Sequence, residues 1–344
     1  MKKFYIDGIE IGGENVVVIP EIGINHGGDL SVAKEMVLSA KNEGARIIKH
    51  QTHICDSEMD ISAKHVLPGN SDKSIYEIIS NCALSEKEEN ELKNYTESLG
   101  LVFLSTPFSK KAVDRLEKMD VKAYKIGSGE LNNIPLIKYI ISTKKPIILS
   151  TGMHDLNTIR NIVGLIEAEK IPYALLHTTS LYPTKSNQVR ICAMQEMMKE
   201  FPDVCIGLSD HTVNNLSSYV AIAYGAKIIE RHYTDTYERK GPDIACSMDR
   251  NNLRELIYAA EEIPKMLNGT KAMIREEEIT RDFAFAAIYS SQNIKKGQKL
   301  TEYNICTKRP FVGGVSAIKY EGFLGKQALF DIKKNSKITH EMIE

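Results

Sequence analysis

Two histidines end short apolar runs in the second half of the chain, and together they suggest a metal site. His211 ends "GLSDH" and His232 ends "KIIERH". Histidine is the commonest metal ligand in proteins and suits Mn, Fe and Zn. If the two runs are neighbouring strands, both imidazoles can reach one ion, and two ligands leave open positions for water or substrate. The alternative is a pair of hydrogen-bonded histidines at the rim of the fold.

Two lysines also stand at the ends of apolar runs, where burying a charge is costly unless an anion meets it. Lys49 lies in "RIIKHQTH" and Lys125 in "AYKIGSGE". Lysine is a good point charge for phosphate or carboxylate. Two other roles stay open, a Schiff base as in aldolases or an internal ion pair with Glu21 or Glu230. The hydroxyls that would complete an anion cradle are Thr106, Ser128, Ser150 and Ser209.

Glu21 and Glu230 are carboxylates inside apolar runs, and each can act as an acid, a base or a partner that orients a histidine. For Glu230 the orienting or ion-pairing role is the better interpretation. The stretch "GSGE" after Lys125 is glycine-rich but weak as a phosphate motif. Neither G-x-x-x-x-G-K-[ST] nor G-x-G-x-x-G occurs, so nothing supports a nucleotide- or dinucleotide-binding fold.

The elements that position these residues alternate along the chain. An amphipathic stretch such as "LSVAKEMVLSAKNEGA", with Gly44 as a C-terminal cap, separates one strand from the next. Near-continuous apolar strands between helices are typical of a parallel sheet covered on both faces. Eight such units in roughly 250 residues predict a closed (β/α)8 barrel, and a doubly wound open sheet would not need eight. The predicted strands are "VVVIPEIGINH", "RIIKHQTH", "LVFLSTPF", "AYKIGSGE", "PIILSTG", "YALLHTTS", "CIGLSDH" and "KIIERHYT".

In such a barrel all the strands end at one mouth, where these enzymes keep their chemistry. The polar strand endings are therefore expected to converge there. They are Glu21, Asn25, His26, Lys49, His50, Gln51, Ser105, Thr106, Lys125, Ser128, Ser150, Thr151, His177, Thr178, Ser209, His211, Glu230 and His232.

Outside the barrel repeat, three segments have their own pattern. Asp7-Gly8 predicts a hairpin near the N-terminus. The long connection between about residues 54 and 84 contains Pro68-Gly69, and Asn70 is expected to face the mouth. The tail is polar and then rich in short strand-like pieces. We therefore predict a barrel domain at 1–265, a linker at 266–282 and a small β-rich domain at 283–344.

Bulk composition bounds the class of protein. The chain has 344 residues, a net charge of −1 and 42% hydrophobic residues, so nothing favours nucleic acid or an anionic membrane as a partner. No apolar run approaches the roughly 20 residues of a membrane span. The start has no apolar signal-peptide core, and the six cysteines have no regular spacing. A cytoplasmic protein with reduced thiols is expected.

Nearly the whole chain strongly resembles, block by block and in order, the bacterial N-acetylneuraminate (sialic acid) synthases. The tail, from "DFAFAAIYSSQNIKKGQKL" through "KRP" to "LGKQALFDIKKNSKI", is similar to their C-terminal antifreeze-like (SAF) domain. The blocks of the barrel are "EIGINHGGDLSVAKEMV", "IIKHQTH", "PGNSDKSIYEI", "LSTPFS", "YKIGSGE", "ILSTGM", "GLSDHT", "ERHYTD" and "GPDIACSMD".

The resemblance implies condensation of phosphoenolpyruvate with N-acetylmannosamine to give N-acetylneuraminate and phosphate. It implies a divalent metal, most often Mn²⁺ with Mg²⁺ or Co²⁺ as alternatives, and a domain-swapped homodimer. It places the metal on His211 and His232. It makes these two histidines and Glu21 the catalytic residues. It places phosphoenolpyruvate on Lys49, Thr106, Lys125, Ser128, Ser150, Ser180 and Ser209. It places the sugar on Gln51, Asn70, Tyr182 and Asp243, with Arg309 reaching in from the partner subunit.

Two departures from the family pattern and two rival functions accompany the resemblance. Ser180 replaces an asparagine that helps to hold phosphoenolpyruvate, and Leu131 replaces a common cysteine. Within the enzyme class the alternative is a legionaminic or pseudaminic acid synthase, although "KHQTH" and "PGN" look more like the sialic acid branch. The other rival is an ice- or carbohydrate-binding tail on a decayed barrel, against which the lysine-rich tail and the intact histidines and lysines argue.

Overall fold

The structure is a computed structural model that describes residues 3–69 and 71–344. It divides into two compact units, Met1–Asn268 and Gly269–Glu344. In the first unit eight parallel strands close a barrel in chain order, with the last strand paired to the first. The predicted (β/α)8 barrel is confirmed. After an N-terminal hairpin, β1 (Phe4–Ile6) and β2 (Ile9–Ile11), the barrel strands are β3 (Val17–Gly23), β4 (Ile47–Thr52), β5 (Val102–Pro107), β6 (Tyr124–Ile126), β7 (Ile147–Ser150), β8 (Tyr173–Thr178), β9 (Cys205–Asp210) and β10 (Ile228–His232).

Helices connect the strands and cover the barrel. Their ends follow local chemistry: Asp29 caps the first helix by accepting from the backbone N–H groups of Ser31 and Val32. Gly44 ends the same helix with a φ of +100°, a conformation that favours glycine. The helices are α1 (Leu30–Asn42), α2 (Cys55–Glu58), α3 (Ile75–Cys82), α4 (Glu86–Ser98), α5 (Lys110–Lys118), α6 (Ile134–Ser142), α7 (Leu156–Ala168), α8 (Ile191–Glu200), α9 (Leu216–Ala223) and α10 (Arg250–Met266). Single 3₁₀ turns lie at Ile61–His65, Ser128–Asn132, Ser186–Gln188 and Ile244–Cys246.

The barrel strands are buried on both faces, and their side chains divide between two cores. Alternate residues such as Ile19, Leu104 and Leu176 fill the barrel interior. The residues between them, such as Phe103 and Leu175, pack against the surrounding helices. Since successive side chains on a strand point to opposite faces, this division shows which polar strand ends face the interior.

The hairpin formed by β1 and β2 closes the amino end of the barrel. Its apolar residues Phe4, Ile6, Ile9 and Ile11 belong to the same buried cluster as the inward-facing residues of the strands. The turn predicted at Asp7-Gly8 is present, and both residues have a positive φ, as a tight hairpin turn requires. With apolar packing at this end, the interior polar groups are confined to the carboxyl end.

Gly207 of β9 lies where the barrel interior is tightly packed. A Cβ at this position would lie 2.3 Å from the carbonyl oxygen of Ile228 and 2.7 Å from Cδ2 of Leu176. We expect Gly207→Ala to lower the free energy of unfolding by about 1–3 kcal/mol, because the neighbouring strand must move. Thermal and urea unfolding of the purified variant measure this change.

The matched control is Gly164→Ala in α7, where an added Cβ meets no atom within 4 Å. Alanine in a helix interior is more favourable than glycine by roughly 0.5–1 kcal/mol, so this variant should be as stable as the parent or more so. Equal stabilities for the two alanine variants would contradict the packing described for β9.

The second unit contains a short helix, α11 (Glu278–Ala284), and two antiparallel strands, β11 (Ala287–Ser290) and β12 (Ile305–Lys308). Isolated bridges such as Ile294 with Ile332 tie its loops together. A compact apolar core lies beneath them, with Ile288, Leu300 and Ile338 fully buried. This unit is therefore small and β-rich. Its 3₁₀ turns are Arg275–Glu277, Ala317–Phe323 and His340–Met342.

Among the helices of the described residues, none combines the length and the apolar character that crossing a bilayer requires.

Candidate active site

Four charged side chains from different strands meet at the carboxyl end of the barrel interior. Lys49 of β4 lies between two carboxylates, with Nζ 2.5 Å from Oε2 of Glu21 and 3.3 Å from Oε1 of Glu230. Lys125 of β6 approaches the same Oε1 at 3.7 Å. The internal ion pair considered for Lys49 is therefore formed. The four groups make a continuous charge network inside the mouth.

Hydrogen bonds from neighbouring strands hold this network in place. Gln51 Nε2 donates to Oε1 of Glu21 over 2.6 Å, and Ser209 Oγ donates to Oε1 of Glu230 over 3.1 Å. Lys125 Nζ donates to Ser150 Oγ over 2.6 Å and to the carbonyl of Ile126. Each charged group has a defined orientation, as electrostatic catalysis requires.

The pKa values of the network differ because the partners differ. Burial raises the pKa of Glu21, but the charges of Lys49 and His232 outweigh it and hold the pKa well below its usual range. Burial lowers the pKa of Lys49, but Glu21 and Glu230 outweigh it and raise the pKa. Burial lowers the pKa of Lys125 to about 8, despite the charge of Glu230. At neutral pH the site therefore holds an ionised Glu21, a cationic Lys49 and a Lys125 close to its titration point.

His211 and His232 lie side by side, next to this network. Their ring centroids are 5.4 Å apart, and Nε2 of His232 is 3.8 Å from Oε2 of Glu21. Nδ1 of His211 is 2.9 Å from the carbonyl oxygen of Thr179, so Nδ1 carries the proton and Nε2 the lone pair. Burial, helped by His232, lowers the pKa of His211 to about 4, which keeps its imidazole neutral.

Two adjacent imidazoles beside a carboxylate are donors that fit a divalent cation. Within the described residues, Nδ1 of His232 is buried and has no hydrogen-bond partner, and its nearest acidic oxygen is Oδ2 of Asp243 at 3.9 Å. Among residues 3–69 and 71–344, no group of three or more His, Cys, Asp or Glu side chains is arranged to hold a metal. Two imidazoles with a nearby carboxylate form a small donor set, of the kind that suits a site with open positions rather than a closed structural one.

A second part of the mouth carries closely spaced hydroxyl groups. Gly152 donates its backbone N–H to Ser128 Oγ over 2.9 Å. A Cβ on Gly152 would lie 2.4 Å from Ser180 Oγ and 2.8 Å from Ser128 Oγ, so only glycine fits here. In the portion of the chain that is described, the buried hydroxyls of Ser180 and Thr106 have no hydrogen-bond partner. Orphaned buried donors of this kind need a ligand or water.

Two of the remaining predicted contacts, Tyr182 and Asp243, lie beside the histidines. The ring of Tyr182 packs on His211 with centroids 4.2 Å apart. Asp243, at the start of the turn before α10, is mostly buried, and burial raises its pKa. Asn70 lies outside the described residues, so its predicted position in the mouth stays a prediction. Arg309 follows β12 in the second unit and is exposed.

Several of the polar strand endings expected in the mouth face the helices instead. His50 Nδ1 lies 3.4 Å from Glu89 of α4, Ser105 Oγ hydrogen-bonds Thr52, and His177 Nε2 hydrogen-bonds the carbonyl of Val189. The expectation of full convergence is wrong for these residues. The reason is the two-residue period of a strand, which sends Lys49 and Gln51 inward and His50 outward.

Sequence reasoning did not single out Gly152 or Thr179 in this site. Gly152 leaves room for the hydroxyls of Ser128 and Ser180, and the carbonyl of Thr179 orients His211. Gly152 was detectable as a glycine two residues after a polar strand end, where a backbone N–H can approach a ligand closely. The role of a main-chain carbonyl leaves no signal in residue type.

The chain matches the model of the NeuB family over residues 36–272. It is 34% identical to the N,N'-diacetyllegionaminic acid synthase of Campylobacter jejuni over 94% of this chain and 99% of that protein. It is 31% identical to the enzyme of the same name from Legionella pneumophila over 98% of both chains. Among solved structures, it is similar to the N-acetylneuraminic acid (sialic acid) synthetase of Leptospira borgpetersenii, with a TM-score of 0.72, 29% identity, and coverage of 81% of this chain and 95% of that chain.

Proposed function

The chain belongs to the NeuB family, and we propose that it condenses phosphoenolpyruvate with N-acetylmannosamine to give N-acetylneuraminate and phosphate. The observation that carries the proposal is the pair of orphaned buried hydroxyls, Thr106 and Ser180, in the same mouth as Lys125. Hydroxyl donors with a buried lysine recognise a small phosphorylated anion.

The two lysines divide the charges of phosphoenolpyruvate between them. Lys49 and Lys125 supply cations for its phosphate and carboxylate, while the hydroxyls of Ser128, Ser150 and Ser209 line the site beside them. In the proposed reaction C3 of the enol ester attacks the aldehyde carbon of the open-chain sugar, which takes up a proton on its oxygen. Water then adds at C2, and the C2–O bond to phosphate breaks. No Schiff base is needed, because the substrate is already an activated enol.

Glu21 handles a proton in this scheme. It is ionised, lies 3.8 Å from Nε2 of His232, and is held by Lys49 and Gln51. A positioned carboxylate of this kind can take the proton of the attacking water. Glu230 has a different task, since it lies between both lysines and orients them.

We propose that His211 and His232 hold a divalent cation, with Mn²⁺ preferred. When bound, such an ion supplies a Lewis acid that stabilises negative charge developing on a carbonyl oxygen. The chain's own part is to present two imidazoles, one oriented by the Thr179 carbonyl and the other beside Glu21.

The sugar is proposed to contact Gln51, Tyr182 and Asp243, which lie near the histidines, and Asn70 of the long connection. By its resemblance to the SAF domain, the second unit is proposed to supply Arg309 to the barrel of a partner subunit in a homodimer. A guanidinium is suited to this task because it hydrogen-bonds polar oxygens in a fixed geometry.

The second candidate is a legionaminic acid synthase, because the relatives from Campylobacter and Legionella carry that name. The two candidates share the chemistry and differ in the sugar. Phosphate release measured with phosphoenolpyruvate and a panel of sugars separates them. N-acetylmannosamine as the best substrate supports the first candidate, and a 6-deoxy diacetamido sugar supports the second.

The fate of the bridging oxygen tests the reaction class. We expect ¹⁸O placed between C2 and phosphorus to appear in inorganic phosphate, because water supplies the new oxygen at C2. Mass spectrometry of phosphate and of the sugar acid reads out the label. Label that stays in the sugar acid, or a reaction that runs on pyruvate and is trapped by borohydride on Lys49 or Lys125, would show that the proposed condensation is wrong.

Lys125 makes phosphoenolpyruvate use sensitive to pH. Burial lowers its pKa to about 8, so it is cationic below that pH and neutral above it. We expect kcat/KM for phosphoenolpyruvate to fall as pH rises through this value, because the neutral amine no longer attracts an anion. A Lys125→Arg variant should lose this alkaline fall, since a guanidinium stays protonated to pH of about 12 or beyond. An unchanged alkaline limb in the variant would assign the titration to another group.

A further inference from the structure

Two charged residues lie between the polar residues that β9 and β10 send into the mouth. Asp210 lies between Ser209 and His211, and Arg231 immediately precedes His232. Both point away from the mouth toward the helices, and their side chains are 1% and 0% exposed. Each lies opposite the other in the register of the two strands. A fully buried arginine next to a predicted ligand requires a physical reason.

The guanidinium of Arg231 connects the backbones of the two histidines. Its Nη2 donates to the carbonyl oxygen of Thr212, the residue after His211. Arg231 itself is the residue before His232. One buried side chain therefore links the position after one histidine to the position before the other. Its Nη1 donates to Oδ1 of Asn215 over 2.6 Å, and this second hydrogen bond fixes the plane of the guanidinium group.

Asp210 and Asn215 extend the link to two helices. Oδ1 of Asp210 accepts from the backbone N–H of Thr212 over 2.9 Å, and Oδ2 accepts from Ser218 of α9 over 2.7 Å. Asn215, just before α9, donates from Nδ2 to the carbonyl of Asn252 in α10 over 2.7 Å. The loop after His211 is thus held from both sides by polar contacts.

Stability alone does not account for an arginine at this position. Replacing a buried ion pair by apolar residues of similar volume is often neutral or stabilising. The preceding outward residue of the same strand, Ile229, is apolar and packs in the outer core. What an apolar side chain cannot do is hold the Thr212 carbonyl and the Asn215 amide at the same time.

We propose that Arg231 is a positioning residue that sets the separation of His211 and His232, and through it the affinity of the site for a divalent cation. The inference rests on the proposed metal role of the two histidines. Partners that orient metal ligands from behind typically contribute 10- to 100-fold in affinity. Here that partner acts through the backbone, because neither histidine ring is itself bonded to Arg231.

The test is the dissociation constant of Mn²⁺, measured by titration calorimetry or by electron paramagnetic resonance on the metal-stripped full-length protein without substrates. Arg231→Lys keeps the charge but loses the two-pronged geometry. We expect it to bind Mn²⁺ about 10- to 100-fold more weakly than the parent. Asn215→Ala leaves the arginine in place and removes one acceptor, so it should weaken binding in the same direction by less.

Arg115→Lys is the matched control. Arg115 of α5 is also a mostly buried arginine, and its Nη1 donates to Glu89 and to the carbonyl of Leu84, away from His211 and His232. We expect this variant to change the melting temperature but not the affinity for Mn²⁺. A purely structural role for Arg231 would make the two lysine variants alike in both measurements.

The outcomes separate this inference from the proposed metal site. If His211→Ala loses Mn²⁺ binding but folded Arg231→Lys binds as the parent does, the positioning role is overturned and the metal site stands. If Arg231→Lys does not fold, Asn215→Ala decides, and unchanged affinity in that variant overturns the inference. If the parent and His211→Ala bind Mn²⁺ equally, both proposals fall.

Discussion

Glu21→Gln is expected to lower kcat by about 10²–10⁴-fold while phosphoenolpyruvate still binds. The amide keeps the shape of the carboxylate and can still accept from Lys49, which lies 2.5 Å from Oε2. It cannot take up a proton. The low pKa of Glu21 matters here: burial raises it, but Lys49 and His232 together hold it well below its usual range, so the wild-type group is ionised at neutral pH. Steady-state kinetics and phosphoenolpyruvate binding by calorimetry measure the two quantities separately.

Glu89→Gln is the matched control for this prediction. Glu89 is also a buried carboxylate, accepting from Thr52 and Arg115, but it lies on the helix side of β4. Its replacement should lower the free energy of unfolding, because it weakens a buried charged network. We expect a much smaller change in kcat than for Glu21→Gln. If Glu21→Gln turned over as fast as the wild type, Glu21 would have no role in the chemistry.

Removal of the metal is expected to abolish activity, and Mn²⁺ is expected to restore it. Of the proposed ligands, the protein supplies His211 and His232, so losing either leaves the ion weakly held. His232→Ala should therefore lower kcat/KM by more than the roughly 100-fold seen when partners behind metal ligands are changed. Activity after treatment with a chelator, followed by titration with Mn²⁺, Mg²⁺ and Co²⁺, measures the requirement.

His177→Ala separates loss of a ligand from loss of a buried imidazole. His177 is as buried as the other two but faces away from the mouth, and its Nε2 hydrogen-bonds the carbonyl of Val189 in the segment before α8. Its replacement should lower stability and leave the dependence on Mn²⁺ unchanged. Full activity of the parent protein in excess chelator would contradict the proposed role of His211 and His232.

The two-carboxylate, two-lysine network explains why these predictions concern different steps. Glu230 accepts from Ser209 and lies within 3.7 Å of both lysines, so it balances their charge. Glu21 shares Lys49 with it but also reaches His232. One carboxylate therefore lies between the two lysines and the other borders the histidines. This separation is what makes a loss of turnover without a loss of phosphoenolpyruvate binding a meaningful result.

Residue types and their order along the chain determined much of the architecture. Eight apolar runs separated by amphipathic stretches predicted the eight barrel strands, and Asp7-Gly8 predicted the hairpin. Those signals are local, because turn chemistry and helical periodicity depend on neighbouring residues. The same order placed Lys49, Lys125, His211 and His232 at strand ends, and the parallel barrel brings such ends to one mouth.

Only the tertiary structure decided which side chain of each strand end faces the mouth. A strand buried on both sides is apolar on both sides, so its hydropathy does not reveal which residues point inward. Asp210 and His211 are adjacent in the sequence, as are Arg231 and His232, yet one of each pair faces the helices and the other the mouth. Closure of the barrel fixes this choice for all eight strands at once. For that reason the link that Arg231 makes between the backbone segments next to the two histidines can be seen in the tertiary structure but not in the sequence.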